Sequence, residues 1–98
     1  MTDTNWINTP DWCEYRGLCI AELLWEHDPM GCKSWGVPDD EYEADGLEFG
    51  RWLCGHETIK DIVDIMYGAL LGKWGHRPDR ERLHRLARDI RALDRLTL

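Results

Sequence analysis

Ninety-eight residues suit one domain, long enough to bury roughly two thirds of its unfolded surface and to hold a single core without obligatory cross-links. The 43% hydrophobic and 32% charged residues are the balance of a soluble globular protein, and the longest uncharged apolar run, IMYGALLG, is far short of the ~20 residues that a membrane span needs. The net charge of −7 weighs against nucleic acid as a partner, and the start, MTDTNWINTPDW, has neither a basic leader nor an apolar run, so a cytoplasmic protein is expected.

That charge is divided unevenly. Residues 1–64 hold fifteen Asp or Glu against four Lys or Arg, a net of −11, whereas residues 65–98 hold four acids against eight bases, a net of +4. Within the acidic part, DDEYEADGLE over residues 39–48 carries six acids and no base, a field that repels phosphates and attracts basic surfaces.

In chain order, residues 1–8 read as a loose arm, followed by a helix over about 10–27. Thr9 is its expected N-cap, with Pro10 at the first helical position and Asp11 in the first turn. Trp12, Tyr15, Cys19, Leu23 and Leu24 fall near one side and predict the buried face. Gly17 costs about 1 kcal/mol relative to alanine in mid-helix, so it marks either a close helix contact or a break. Asp28-Pro29 ends the helix, because proline lacks a donor and disfavours helical geometry in the residue before it.

The corner HDPMGCKSWGVPDDEYE, residues 27–43, is rich in turn formers. Asp28 can cap the following turn with its carboxylate, Gly31 and Gly36 can supply positive φ, and Asp39 or Asp40 can accept the free N–H groups of the next helix. Trp35, between Ser34 and Gly36, is either a plug over the bundle or an exposed binding anchor.

PDDEYEADGLEFGRWLCG predicts a second helix, with acids in its first turn and Gly55 capping its end. Tyr42, Gly46, Phe49 and Leu53 form its inward stripe, which leaves Glu41, Glu43, Asp45 and Glu48 mostly on the surface. A third helix starts from the Thr58 N-cap, has Ile59, Ile62, Val63, Met66 and Leu70 as its apolar face, and ends at Gly72 or Gly75. The last segment repeats Leu83, Leu86, Ala87, Ile90 and Leu93 at helical spacing, with arginine and acid alternating elsewhere. Four helices with short connections and no strand pattern make one all-α domain, a small bundle.

Chemistry-bearing motifs are scarce. Cys13, Cys19, Cys32 and Cys54 are spaced C-x5-C, C-x12-C and C-x21-C, with no knuckle to bring two sulfurs onto one ion, and reduced thiols are expected. The best residual metal set is Cys32, Cys54 and His56, with His27 as a further ligand. The competing expectation is small buried thiols and a surface histidine, with no metal or other cofactor. His56-Glu57 and Glu26-His27-Asp28 are acid–base neighbours only in sequence, where side chains on a helix point about 100° apart. With no G-x-S-x-G, H-E-x-x-H or phosphate loop, no enzyme activity is expected. Six tryptophans are many for this length, and those on helical stripes are expected in the core.

Asp28-Pro29-Met30-Gly31, Asp40-Glu41-Tyr42 opening a helix, and the stretch from Leu53 to Leu70 together carry a resemblance. Over roughly residues 18–90 the chain resembles the YugE-like family of small uncharacterised bacterial helical domains. It departs from them at His27, where a tryptophan commonly precedes Asp-Pro, and in its added cysteines. The resemblance implies an all-helical fold without catalytic residues, of a kind that looks like accessory or immunity-type binding proteins.

Two classes of function follow. In the first, the domain is a non-catalytic binder, monomeric or homodimeric, that masks a basic protein or nucleoprotein complex, as an immunity protein, antitoxin-like factor or phage-type inhibitor would. Glu41, Glu43, Asp45, Glu48 and Trp35 are its candidate contact residues. In the second, the final helix binds nucleic acid through Arg77, Arg80, Arg82, Arg85, Arg88, Arg91 and Arg95. Its interspersed acids place that reading second.

Overall fold

The computed structural model describes the backbone of residues 10–97 and the side chains of residues 13–95. The expected N-terminal arm, the Thr9 cap and the Trp12 side chain lie outside the described residues. Among the described residues the chain forms four helices and no strand: α1 (Pro10–His27), α2 (Glu43–Trp52), α3 (Ile59–Trp74) and α4 (Arg80–Thr97). A short 3-10 turn, Cys32–Trp35, lies between α1 and α2. The fold is thus an all-α bundle, and no helix among the described residues is long and apolar enough to cross a membrane.

α1 packs along α2 and also meets α4, which pairs with α3. One core joins them: Ile20 and Leu24 of α1, Tyr42, Phe49 and Leu53 around α2, Ile62, Val63, Met66 and Leu70 of α3, and Leu83, Leu86, Ala87 and Ile90 of α4. Burying each large aliphatic side chain contributes about 1.5–3 kcal/mol, so these periodic positions are the main reason the helices form at all.

Gly17 marks a close contact. A Cβ there would lie 2.9 Å from the Leu47 Cα, and one on Gly50 would lie 2.7 Å from the Gly17 Cα. A Cβ on Gly46 would meet the Ala21 Cβ at 2.5 Å. α1 and α2 therefore touch backbone to backbone through Gly17, Ala21, Gly46 and Gly50. This seam corrects the expected face of α1. Tyr15 is 57% exposed and Cys19 and Leu23 are only half-buried, while Arg16, Gly17, Ile20 and Leu24 point inward.

Helix ends follow local chemistry, except at both ends of α2. The Thr58 hydroxyl accepts from the Asp61 N–H at 3.1 Å to open α3, and Gly75, at φ 79, closes it through a bond to the Leu71 carbonyl. Asp79 accepts from the Arg82 N–H at 3.1 Å at the start of α4. α2, however, begins at Glu43, after consecutive turns closed by Glu41 N–H to Pro38 O and Glu43 N–H to Asp40 O. Neither Asp39 nor Asp40 caps it, since Tyr42 holds the N-cap position with no side-chain bond. At the other end the chain turns extended at Leu53, ahead of Gly55, because Leu53 enters the core. The Arg16 guanidinium takes over the terminal carbonyls, bonding Gly50 O at 3.1 Å and Leu53 O at 2.6 Å.

Candidate functional site

The corner after α1 is built around Asp28, which adopts φ 49 although it is not glycine. Its carboxylate accepts from the N–H groups of Cys32 at 2.9 Å and Lys33 at 3.2 Å, capping the 3-10 turn, and from the Tyr42 hydroxyl at 2.8 Å. The Tyr42 oxygen in turn accepts from the Met30 N–H at 3.0 Å. Gly31 and Gly36 flank the turn at φ 71 and φ 74. Asp28, Gly31 and Tyr42, from the D-P-x-G and D-E-Y segments, thus meet in one hydrogen-bonded unit. Burial pushes the Asp28 carboxyl up, but the bonds from Tyr42, Lys33 and Cys32 outweigh it and hold the group below its ordinary value. Burial likewise drives the Tyr42 phenol and the Cys32 thiol upward. α4 fastens the corner from outside, with Arg82 bonding Asp28 O and the Asp79 N–H bonding Pro29 O, both at 2.8 Å.

Beyond this corner the acids divide into two sets. Asp39, Asp40, Glu41 and Glu43 are exposed and have no ion-pair partner among the described residues. Asp45, expected on the surface, is instead buried at 4% exposure. Its carboxylate pairs with Lys73 at 2.9 Å and accepts from the Trp74 indole N–H at 3.1 Å. Glu48 is half-buried and holds the same Lys73 at 3.0 Å. Burial alone would lower the Lys73 ammonium, but bonds to Asp45 and Glu48 prevail and raise it. The end of α3 covers a second face of α2, which a single inward stripe on α2 does not anticipate.

Trp35 is packed on one side and open on the other. Its ring leans on Trp74 at 6.3 Å and His76 at 5.5 Å, with Tyr42 stacked beneath Trp74 at 5.4 Å, yet 56% of its surface is open. The other described tryptophans are also not core: Trp25 and Trp74 are half-buried and Trp52 is 53% exposed. Each is too large for the space between closely approaching helices and lies over the rim of the bundle.

A groove of about 380 Å³ opens between α1 and the turns before α2, lined by Leu18, Ala21, Glu22, Trp25, Asp39, Asp40 and Glu43. The Lys33 ammonium lies over the Trp25 ring, 5.0 Å from its centre. Glu22 and Trp25 come beside Asp39 and Asp40 only through the fold-back of the corner, which local sequence does not reveal.

On α4 the arginines also divide. Arg80 stacks on Tyr67 and pairs with Asp64, Arg82 meets Asp28 and Asp79, and Arg85 meets Glu81. Arg88, Arg91 and Arg95 line a separate groove with Ile59 and Ala92, where Arg91 donates to the Glu57 carbonyl. No group of three or more His, Cys, Asp or Glu is placed to hold a metal ion among the described residues. Cys32 is buried behind the 3-10 turn, whereas Cys54 is exposed and donates its thiol to Glu57 at 3.1 Å. His27 pairs with Asp89 of α4 at 2.6 Å, away from its sequence neighbours. No family model matches the chain, and neither curated proteins nor solved structures give a match.

Proposed function

We propose that the protein is a small non-catalytic binder that masks a basic surface on a partner, in the manner of an immunity protein, antitoxin or phage-type inhibitor of a nucleic-acid-handling complex. One observation carries this reading: Asp39, Asp40, Glu41 and Glu43 stand exposed within five positions, with no ion-pair partner among the described residues. Such a field accelerates encounter with a cationic surface and can imitate phosphates. Trp35, exposed four residues before Asp39 in the chain, supplies an aromatic anchor of the type enriched at binding centres. Asp45 and Glu48 belong to this reading only as supports, since Lys73 already satisfies them.

The test is capture from an extract of the source organism at low salt by the wild-type protein and by the Glu41→Lys/Glu43→Lys variant. A basic protein retained by the first, lost by the second and released by salt is the expected result. Equal recovery by both would remove the acidic surface from the function.

A second reading has its own observation. Arg88, Arg91 and Arg95 share one groove, and neither Arg88 nor Arg95 has an ion-pair partner among the described residues, an arrangement suited to a phosphate backbone. Binding of the intact protein to bare DNA or RNA, with a steep salt dependence abolished by Arg88→Glu/Arg95→Glu, would favour it over the first.

A further inference from the structure

The acids of this chain are not equally available. Asp28 is committed to its corner, Asp45 and Glu48 to Lys73, and Glu57 to the N–H groups of Cys54 and Gly55. Glu22, Asp39, Asp40 and Glu43 have no ion-pair partner among the described residues, and all four line the same groove. Its remaining lining is apolar: Leu18, 42% exposed, with Ala21 and Trp25 one and two turns further along α1. The Trp25 ring already carries a cation, for Lys33 lies over it with no ion-pair carboxylate among the described residues. The Trp25 face thus accepts an ammonium supplied by the chain itself, through attraction to the ring quadrupole.

We infer that this groove is the docking site for a basic, partly apolar segment of a protein partner, which lays an arginine or lysine over Trp25 among the four carboxylates and an apolar side chain against Leu18 and Ala21. The inference rests on the acidic-binder reading and names where that binding is centred. Charge complementarity selects the occupant: four free carboxylates around an apolar lining reject phosphates and acidic segments, and a purely charged segment would leave Leu18 uncovered. The groove's size, about 380 Å³, suits one or two side chains and not a whole helix.

The test uses the full-length, isotope-labelled protein and a short synthetic peptide of alternating arginine and leucine, compared with one carrying glutamate for arginine and one carrying serine for leucine. Amide shifts should concentrate at Ala21, Glu22, Trp25, Asp39, Asp40 and Glu43, with the glutamate peptide silent and the serine peptide weaker. Glu22→Lys/Glu43→Lys, at exposed positions that leave the fold intact, should weaken binding about tenfold or more at low salt. Leu18→Ser should weaken it less. Shifts centred on Glu41, Glu48 and Trp35, with the Glu22/Glu43 reversal binding as wild type, would overturn the groove and leave the acidic-binder reading standing. No binding of the arginine peptide by a folded wild-type protein would remove both, and equal binding of the glutamate peptide would refute the charge argument.

Discussion

Arg16 of α1 grips Asp94 of α4 through two parallel N–H···O bonds of 2.7 Å each, across 78 residues of sequence. Both side chains are almost fully buried, and the same guanidinium bonds the last carbonyls of α2. One side chain therefore fastens three helices. Breaking a buried pair by removing one partner costs about 3–5 kcal/mol, against a total stability of about 5–15 kcal/mol for a domain. The two single variants should nevertheless differ. Asp94→Leu leaves the guanidinium two carbonyls, whereas Arg16→Leu strands a buried carboxylate and frees both carbonyls, so Arg16→Leu should cost more in denaturant unfolding. Equal costs would mean that the carbonyl bonds contribute nothing.

Glycine substitutions should split by location. Gly50→Ala places a Cβ 2.7 Å from the Gly17 Cα and 3.0 Å from the Cys13 carbonyl, backbone that cannot yield, and should destabilise by about 1–3 kcal/mol. Gly68 and Gly72, within α3, have open space where a Cβ would go, so Gly68→Ala and Gly72→Ala should each stabilise by about 0.5–1 kcal/mol. Thermal melts of the three variants check the signs.

This contrast also shows what could be read in advance. The four helices, the core stripes of α3 and α4 and the left-handed glycines of the corner were legible, because periodicity and turn chemistry are local. Gly17 announced a close contact, but which residues would meet it depended on Gly46 and Gly50, far along the chain. Arg16 and Asp94 gave no local sign of burial, since charged residues on a helix ordinarily face water and only tertiary pairing brings them inside. In the candidate site, Asp39, Asp40 and Glu43 were legible as exposed charge. Glu22 and Trp25 were not legible as their neighbours, and Asp45 was misplaced because Lys73 and Trp74 arrive from another helix.

At the corner, Gly31→Val and Gly36→Val should each destabilise, by about 1–2 kcal/mol for forcing a side chain into left-handed geometry. No neighbour lies within 4 Å of either added Cβ, so the cost belongs to the backbone alone and Gly36→Asn should recover part of it. A full recovery by alanine would contradict that account.

The same corner, together with Glu57 between α2 and α3, sets a dependence on pH. Asp28 and Glu57 are held below their ordinary values of 3.8 and 4.5, so the folded state binds their protons less readily than the unfolded chain does. Their stabilisation is complete above the ordinary values and is lost as pH falls through the lowered ones. Tyr42 is raised above its ordinary 10.0, so its contribution is complete below pH 10 and fades above it. Melting temperature against pH should therefore fall at both ends. Asp28→Asn should flatten the acid limb and Tyr42→Phe the alkaline one, and in the latter the Asp28 carboxyl, followed by carbon-13 shifts, should move back up.

Charge reversal along α2 should separate support from surface. Glu43→Lys should leave the melt nearly unchanged, within about 0.5 kcal/mol, as for other exposed substitutions. Asp45→Lys would set a second ammonium against Lys73 in a buried position and strip the Trp74 indole of its acceptor, so it should fail to fold or lose several degrees in melting. If Asp45→Lys melted like the wild type, the buried cluster would have no structural weight.

The seam where Gly17 meets Gly46 and Gly50 brings backbone against backbone, with Leu47 and Ala21 the side chains packed closest to it. Two helices locked in this way do not loosen by degrees; they separate as rigid pieces or stay together. α3 differs, because Gly68 and Gly72 are open and Ile65 and Leu71 are each 39% exposed, so its outer turns can fray locally. The groove beside Leu18 and Ala21 sits on the stiff side of the molecule. A partner arriving there meets a surface already in its bound shape and gives up little conformational entropy in ordering it, so modest contact area can support useful affinity.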